Sequence, residues 1–219
     1  MKLIIAIDGP SGSGKSSVSR AIAKQLSLDY LDTGAMYRAM TWWVQQKGID
    51  PIDGDAVMDV AKVAQLKPST DPNNPVIYVG DVDVSGPIRG DEVTGAVSAV
   101  SAIPELRTLL VELQRKITQD SKQGIVVEGR DIGSVVLPDA TVKLYLTADS
   151  EARAARRAAE NGGEVVATKE KLIARDQADS TRKVSPLEMA PDATLVDTTH
   201  MNLDEVVEHI LDLVKEVSR

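Results

Sequence analysis

The sequence predicts an α/β fold: a five-stranded parallel sheet flanked by helices, doubly wound, with one small antiparallel insertion. Three observations carry that expectation. A short apolar segment, Leu3-Ile4-Ile5-Ala6-Ile7-Asp8, runs into a glycine-rich loop and then into a helical pattern. Further apolar segments at 125–128, 142–146 and 194–197 alternate with helical stretches, which is how parallel strands come to be covered on both faces. Around Gly80-Asp81, Val76-Ile77-Tyr78-Val79 and Val82-Asp83-Val84 read as a tight hairpin that interrupts the alternation.

Taken in order, residues 2–8 form the first strand and 14–27 the first helix, with Val18, Ile22, Ala23 and Leu26 at helical spacing. Residues 28–32 make a short second strand, and Thr33-Gly34 opens a helix that ends at Gly48. Trp42 and Trp43 are adjacent on it, so one is expected to pack inward. A helix near 55–65 gives way to Pro68, Pro72 and Pro75, then to the hairpin. Helices follow at 91–102 and 104–121, the second opened by Pro104 and closed by Gly124, with Leu106, Leu109, Leu110, Leu113 and Ile117 in one stripe. Helices at 149–160, 168–183 and 203–217 complete the set. One domain is expected: a core of 1–60, 104–150 and 190–219, an insertion at 61–103, and a helical lid at 150–185.

Composition narrows the chemistry. With 219 residues, 42% hydrophobic and 26% charged, the chain is long enough for one full core. Phe is absent, so that core must be packed with aliphatic side chains and Met. A net charge of −8 argues against a nucleic-acid polymer as ligand but leaves room for a small phosphate held by clustered arginines. The absence of cysteine excludes disulfides, thiolate catalysis and thiolate zinc sites. His200 and His209 stand in polar surroundings and read as surface residues. No segment resembles a secretory signal or a membrane span, so a cytoplasmic location is expected.

The loop Gly9-Pro10-Ser11-Gly12-Ser13-Gly14-Lys15-Ser16 fits G-x-x-x-x-G-K-[ST] between a strand and a helix, the context that makes it a P-loop. Its glycines let successive N–H groups turn toward a polyphosphate, and the helix behind presents its positive end to the same anion. Lys15 would neutralise the β and γ oxygens, and the Ser16 hydroxyl would hold Mg²⁺. An Asn-Lys-x-Asp guanine motif is missing. Instead, Gly129-Arg130-Asp131 follows a strand end, while Arg153, Arg156 and Arg157 share one helix face and Arg175, Asp179 and Arg182 another. Each cluster alone is an ordinary ion-pair face; beside a P-loop, all three suit phosphoryl transfer.

The chain resembles the bacterial cytidylate kinase family along essentially its whole length. The resemblance rests on Asp8 to Lys15, Leu31-Asp32-Thr33-Gly34-Ala35-Met36-Tyr37-Arg38, Val84-Ser85-Gly86-Pro87-Ile88-Arg89, Glu128-Gly129-Arg130-Asp131-Ile132-Gly133 and Arg175-Asp176. It implies a P-loop kinase fold whose insertion binds the nucleoside monophosphate, and transfer from MgATP to CMP or dCMP by a monomer. It also implies that Gly9 to Ser16, with Ser17, bind ATP, and that Thr33, Arg38, Ser98, Arg107, Arg130, Asp131, Arg175, Asp179 and Arg182 line the CMP pocket. Within that pocket Asp131 would accept from the cytosine amino group while Arg107 and Ser98 meet N3 and O2. Arg130 and Arg182 would hold the monophosphate, and Arg175 and Asp179 the ribose. Arg153 and Arg157 resemble lid arginines that join Lys15 and Arg130 in catalysis. Glu128 and Thr33 stand where other members carry Asp and Ser. Two other readings stay open: a kinase for UMP, AMP or another small acceptor, and a nucleotide-gated binding module.

Overall fold

A computed structural model of the chain describes residues 2–161 and 164–217. The expected core also reaches Met1, Ser218 and Arg219, and the expected lid Gly162 and Gly163, all outside the described residues. Among the described residues, strands β1 (Ile4–Asp8), β2 (Asp29–Asp32), β6 (Ile125–Gly129), β7 (Val142–Thr147) and β8 (Thr194–Asp197) form the parallel sheet, in the order β2-β6-β1-β7-β8. Strand β1 lies at the centre, so its carboxyl end is flanked by both neighbours: Asp8 pairs in register with Gly129 and with Tyr145.

Period-two alternation along β1 sends Ala6 to one face and Ile5 and Ile7 to the other. Helices α1 (Lys15–Gln25) and α8 (Leu203–Val217) cover the second face, where Val18, Ile22, Val206 and Ile210 meet Leu144 and Val196. Helices α2 (Thr33–Gln46) and α5 (Pro104–Asp120) cover the first, with Met36, Met40, Leu106 and Leu110 buried. Helix α3 (Gly54–Ala61), α4 (Asp91–Ser101) and a three-stranded antiparallel sheet add Val57, Val97, Ile77 and Val79 to that same cluster. The insertion therefore shares its core with the parent sheet.

The small sheet holds a strand the sequence reading omits. Beside the hairpin of β4 (Ile77–Val79) and β5 (Val82–Asp83) runs β3 (Leu66–Pro68), in the order β3-β4-β5. Pro68 argues against a strand by pattern, yet β3 is an edge, where a missing N–H costs nothing. Gly80, at φ 62°, makes the turn. The expected helix at 55–65 consequently stops at Ala61.

Trp42 and Trp43 correct the expectation that one packs inward: both are half-buried against the first cluster. Helix α2 is enclosed by α3, α4 and α5, so neighbouring faces are both covered. The Trp43 indole donates to Val60 O at 3.0 Å. His200 and His209 are exposed. Helices α6 (Ser150–Asn161) and α7 (Val165–Thr181) pack on one another beside the loop after β1. No described helix is long and apolar enough to cross a membrane.

Candidate active site

The strand ends of β1 and β6 and the start of α2 converge on two adjoining cavities. The loop after β1 needs glycine for steric reasons: a Cβ on Gly9, at φ 147°, would lie 2.0 Å from Leu146 O. Gly12 and Gly14 also have positive φ. Lys15 curls back to donate from Nζ to Pro10 O at 2.8 Å. Burial lowers the pKa of its ammonium, and Arg130 adds to that, while Glu128 opposes it.

The first cavity is lined by Ser11, Gly12, Lys15 and Ser16 of the loop and by Arg38, Arg89, Arg130, Arg157 and Arg175. Glu128 is its one deeply buried carboxylate, 3% exposed. Ser16 Oγ donates to Glu128 Oε2 at 3.0 Å, and the Tyr30 hydroxyl donates to Oε1. Burial and then Asp32 push the Glu128 carboxyl up, with Lys15 pulling the other way. Asp32 caps α2 through Ala35 N and takes Arg89 Nη2 at 3.1 Å. Arg38 is held by Ile88 O at 3.0 Å and Thr94 Oγ1 at 2.8 Å, which fixes α2 to the insertion.

The second cavity adjoins the first and is open to solvent. It brings together Thr33, Ser98, Arg107, Arg130, Asp131, Arg175, Asp179 and Arg182, with Tyr37 and Ser101 in addition. Gly34, Gly129, Arg130 and Arg175 line both cavities and so form their junction. At its far end Asp131 is gripped by two arginines: Arg107 Nη2 donates to Oδ2 at 2.5 Å and Arg182 Nη2 to Oδ1 at 3.4 Å. The Arg107 guanidinium also lies 5.2 Å from the Tyr37 ring centre. Arg130 donates from Nε to Asp179 Oδ2 at 3.0 Å and from Nη1 to Gly9 O at 2.9 Å. Among the described residues, Arg107 Nε and Arg175 Nε are buried without a hydrogen-bond partner, which polar groups tolerate where a ligand completes them.

Some expected residues stand elsewhere. Ser13, Gly14 and Ser17 line a third cavity on the other side of the loop, with Arg156, Thr198 and Asn202. Arg153 lines none of the three. It donates to Ser11 O at 2.9 Å, to Ala148 O at 3.1 Å and to Asp176, whose other oxygen takes Ser11 N–H at 2.9 Å. Arg153 and Asp176 thus brace the loop from α6 and α7. Arg182, expected at the monophosphate, lines only the second cavity, whereas Arg175, expected at the ribose, lines both. The roles of Tyr30 and Asp176 were missed altogether, and their signal was faint: polar residues inside otherwise regular elements.

A family model described as cytidylate kinase matches residues 5–216. The chain belongs to the cytidylate kinase family. Relatives bearing that name include one from Streptomyces coelicolor, 58% identical over 98% of this chain and 93% of its own length. Another, from Streptomyces avermitilis, is 55% identical over the same shares, and one from Mycobacterium avium is 50% identical over 99% and 96%. Solved structures extend the likeness to the fold alone. A gluconokinase from Sinorhizobium meliloti has TM-score 0.53 at 15% identity, covering 99% of this chain and 94% of its own. TT1252 from Thermus thermophilus has TM-score 0.52 at 20% identity, covering 98% and 97%.

Proposed function

We propose that this member of the family transfers the γ-phosphoryl group of MgATP to CMP or dCMP, giving CDP or dCDP and ADP. One observation carries the reading. The phosphate cavity at the P-loop and the cavity ending in the Arg107–Asp131–Arg182 cluster meet at Arg130 and Arg175. A donor triphosphate on one side and an acceptor monophosphate on the other then have their reacting ends between the same guanidinium groups.

The third cavity, beside Ser17 and Arg156, suits the base and sugar of ATP. Cytosine fits the far end of the second cavity, where Asp131 can accept from the N4 amino group and Arg107 can donate to ring acceptors. Uracil would turn its O4 toward the same carboxylate, and the lone pairs would oppose. Arg130 and Arg175 hold the monophosphate at the junction, and Asp179 reaches the sugar. The attacking phosphate oxygen is anionic at neutral pH, so no general base is needed. Lys15, Arg157 and the junction arginines hold the reacting groups in line and balance the charge that builds between them. Ser16 and Glu128 are oxygen donors facing the phosphate cavity, so they fit Mg²⁺ and would hold it. When bound, the metal supplies further charge neutralisation on the triphosphate. The reading keeps the monomeric, cytoplasmic enzyme expected from the sequence.

A coupled assay across all nucleoside monophosphates tests the reading. CMP and dCMP are expected to stimulate ADP release far above UMP and AMP. Release of ADP that no monophosphate stimulates would instead favour a nucleotide-gated binding module.

A further inference from the structure

Asp8 ends β1 one residue before the P-loop, and its carboxylate does not line either cavity at the reaction centre. It is 3% exposed. Oδ1 accepts from Ile132 N and Oδ2 from Gly133 N, each at 2.8 Å. Those two N–H groups open the single turn Ile132–Val136 that follows Asp131 directly. All three residues are buried, so without Asp8 both donors would be orphaned away from water.

The turn needs this help because the chain is crowded where it leaves β6. A Cβ on Gly129 would lie 2.6 Å from Ile132 Cδ1 and 2.7 Å from Thr33 Oγ1. Asp131 closes the turn from its own carbonyl, which accepts Val135 N at 2.9 Å and Val136 N at 3.1 Å. Its side chain meanwhile points into the acceptor cavity between Arg107 and Arg182. On the other flank, Gly9 O takes Arg130 Nη1 at 2.9 Å. Two consecutive residues of one strand end therefore grip both sides of the Arg130-Asp131 pair. A carboxylate is the side chain that can do the first of these jobs, because it offers two acceptors and no donor to two successive amides.

We propose that Asp8 is a positioning residue for acceptor recognition: by holding the amides of Ile132 and Gly133 it sets where the Asp131 carboxylate meets the acceptor base. The inference rests on the reading of Asp131 as the group that selects cytosine. It assigns Asp8 a part in choosing the acceptor although Asp8 stands in the chain next to the ATP loop.

The test is Asp8→Asn in the full chain. Asn has the same shape but places an NH₂ group against one of the two amides, so one contact becomes a clash of donors. The kcat/KM ratio of CMP over UMP is expected to fall about tenfold, as suits loss of one hydrogen bond to a charged group, while KM for ATP stays within about twofold. Unfolded molecules are silent toward both nucleotides, so the ratio is independent of the folded fraction. In an Asp131→Asn background the same change is expected to leave the ratio nearly where it stands, because the two residues act as one unit. An unchanged ratio in the single variant, or full additivity in the double, overturns the proposal. If Asp8→Asn turns over neither nucleotide, calorimetric binding decides: loss of CMP affinity with ATP affinity retained supports it, and loss of both overturns it. A native protein that fails to phosphorylate CMP at all would sink the proposed function instead, and would be seen before any variant is made.

Discussion

In the proposed reading the two cavities recognise phosphate and base by different means. At the first cavity one contiguous loop supplies main-chain groups, Lys15 and Ser16, to which arginines from other elements are added. On the acceptor side, α2, α4, α5, α7, the turn after β6 and Arg182 just past α7 contribute one to three side chains each. Main-chain recognition is stiff and indifferent to the base, and needs glycine where the backbone comes close. Side-chain recognition is selective, but every group must be held by another. Asp131 illustrates this: its buried carboxylate is held in place by Arg107 and Arg182.

That contrast can be broken experimentally. The largest effect is expected from Lys15→Ala, roughly 10³-fold or more in kcat, as for loss of a central charge at the transferring phosphate. Since Lys15 is a buried cation whose ammonium is disfavoured there, melting should show an intact fold. Near-normal turnover by a folded Lys15→Ala protein would remove the P-loop from the account. Asp131→Asn comes next, with CMP kcat/KM down about 100-fold and the margin over UMP narrowed, since an amide can turn its NH₂ toward O4. If CMP and UMP fall together, Asp131 positions its arginines and does not read the base.

A third effect is in stability. Burial pushes the Asp8 carboxyl up to about 6; of the titratable groups facing it, Asp131 adds to the rise and Lys15 from α1 opposes it, while the Tyr145 phenol across the β7 register is neutral over this range. A raised value means the folded chain holds this proton more tightly than the unfolded chain. The stabilisation is therefore present at acid pH and lost as pH rises through about 6. Denaturant unfolding of native and Asp8→Asn protein should shift in favour of Asn by on the order of 2 kcal/mol between about pH 4.5 and about pH 7.5. A pH-independent difference would mean Asp8 is charged throughout. The smallest effect is expected from Asp179→Ala, a several-fold change that differs between CMP and dCMP; equal losses would leave Asp179 as the partner of Arg130 alone.

Legibility followed the same divide. The P-loop could be read because its residues are adjacent and its neighbours are an apolar strand and an amphipathic helix. The sheet could be read because its central strands β1, β6 and β7 carry buried Ile, Val and Leu, and the edge strands β2 and β8 follow at the same strand-helix spacing. Strand β3 was not legible, because three residues including a proline carry no period. The turn at 132–136 was not either, since its reason for existing is Asp8, more than a hundred residues away. Arg130 could be read from its place just after a strand end, but Arg107 came from the resemblance, because nothing local distinguishes a cavity arginine on a helix from a solvated one. Arg153 shows the risk in that step: the resemblance places it among the catalytic arginines, but its guanidinium is occupied by Ser11, Ala148 and Asp176.

The Asp176 carboxylate that takes both Ser11 N–H and Arg153 has a thermodynamic consequence. It ties the conformation of the phosphate loop to the seating of α6 and α7. Whatever tightens the loop around a nucleotide must, by reciprocity, also raise the free energy needed to lift these helices away. Susceptibility of α6 and α7 to protease is then a gauge of occupancy at the loop. ATP should slow cleavage there in the native protein, and in Asp176→Ala it should protect far less.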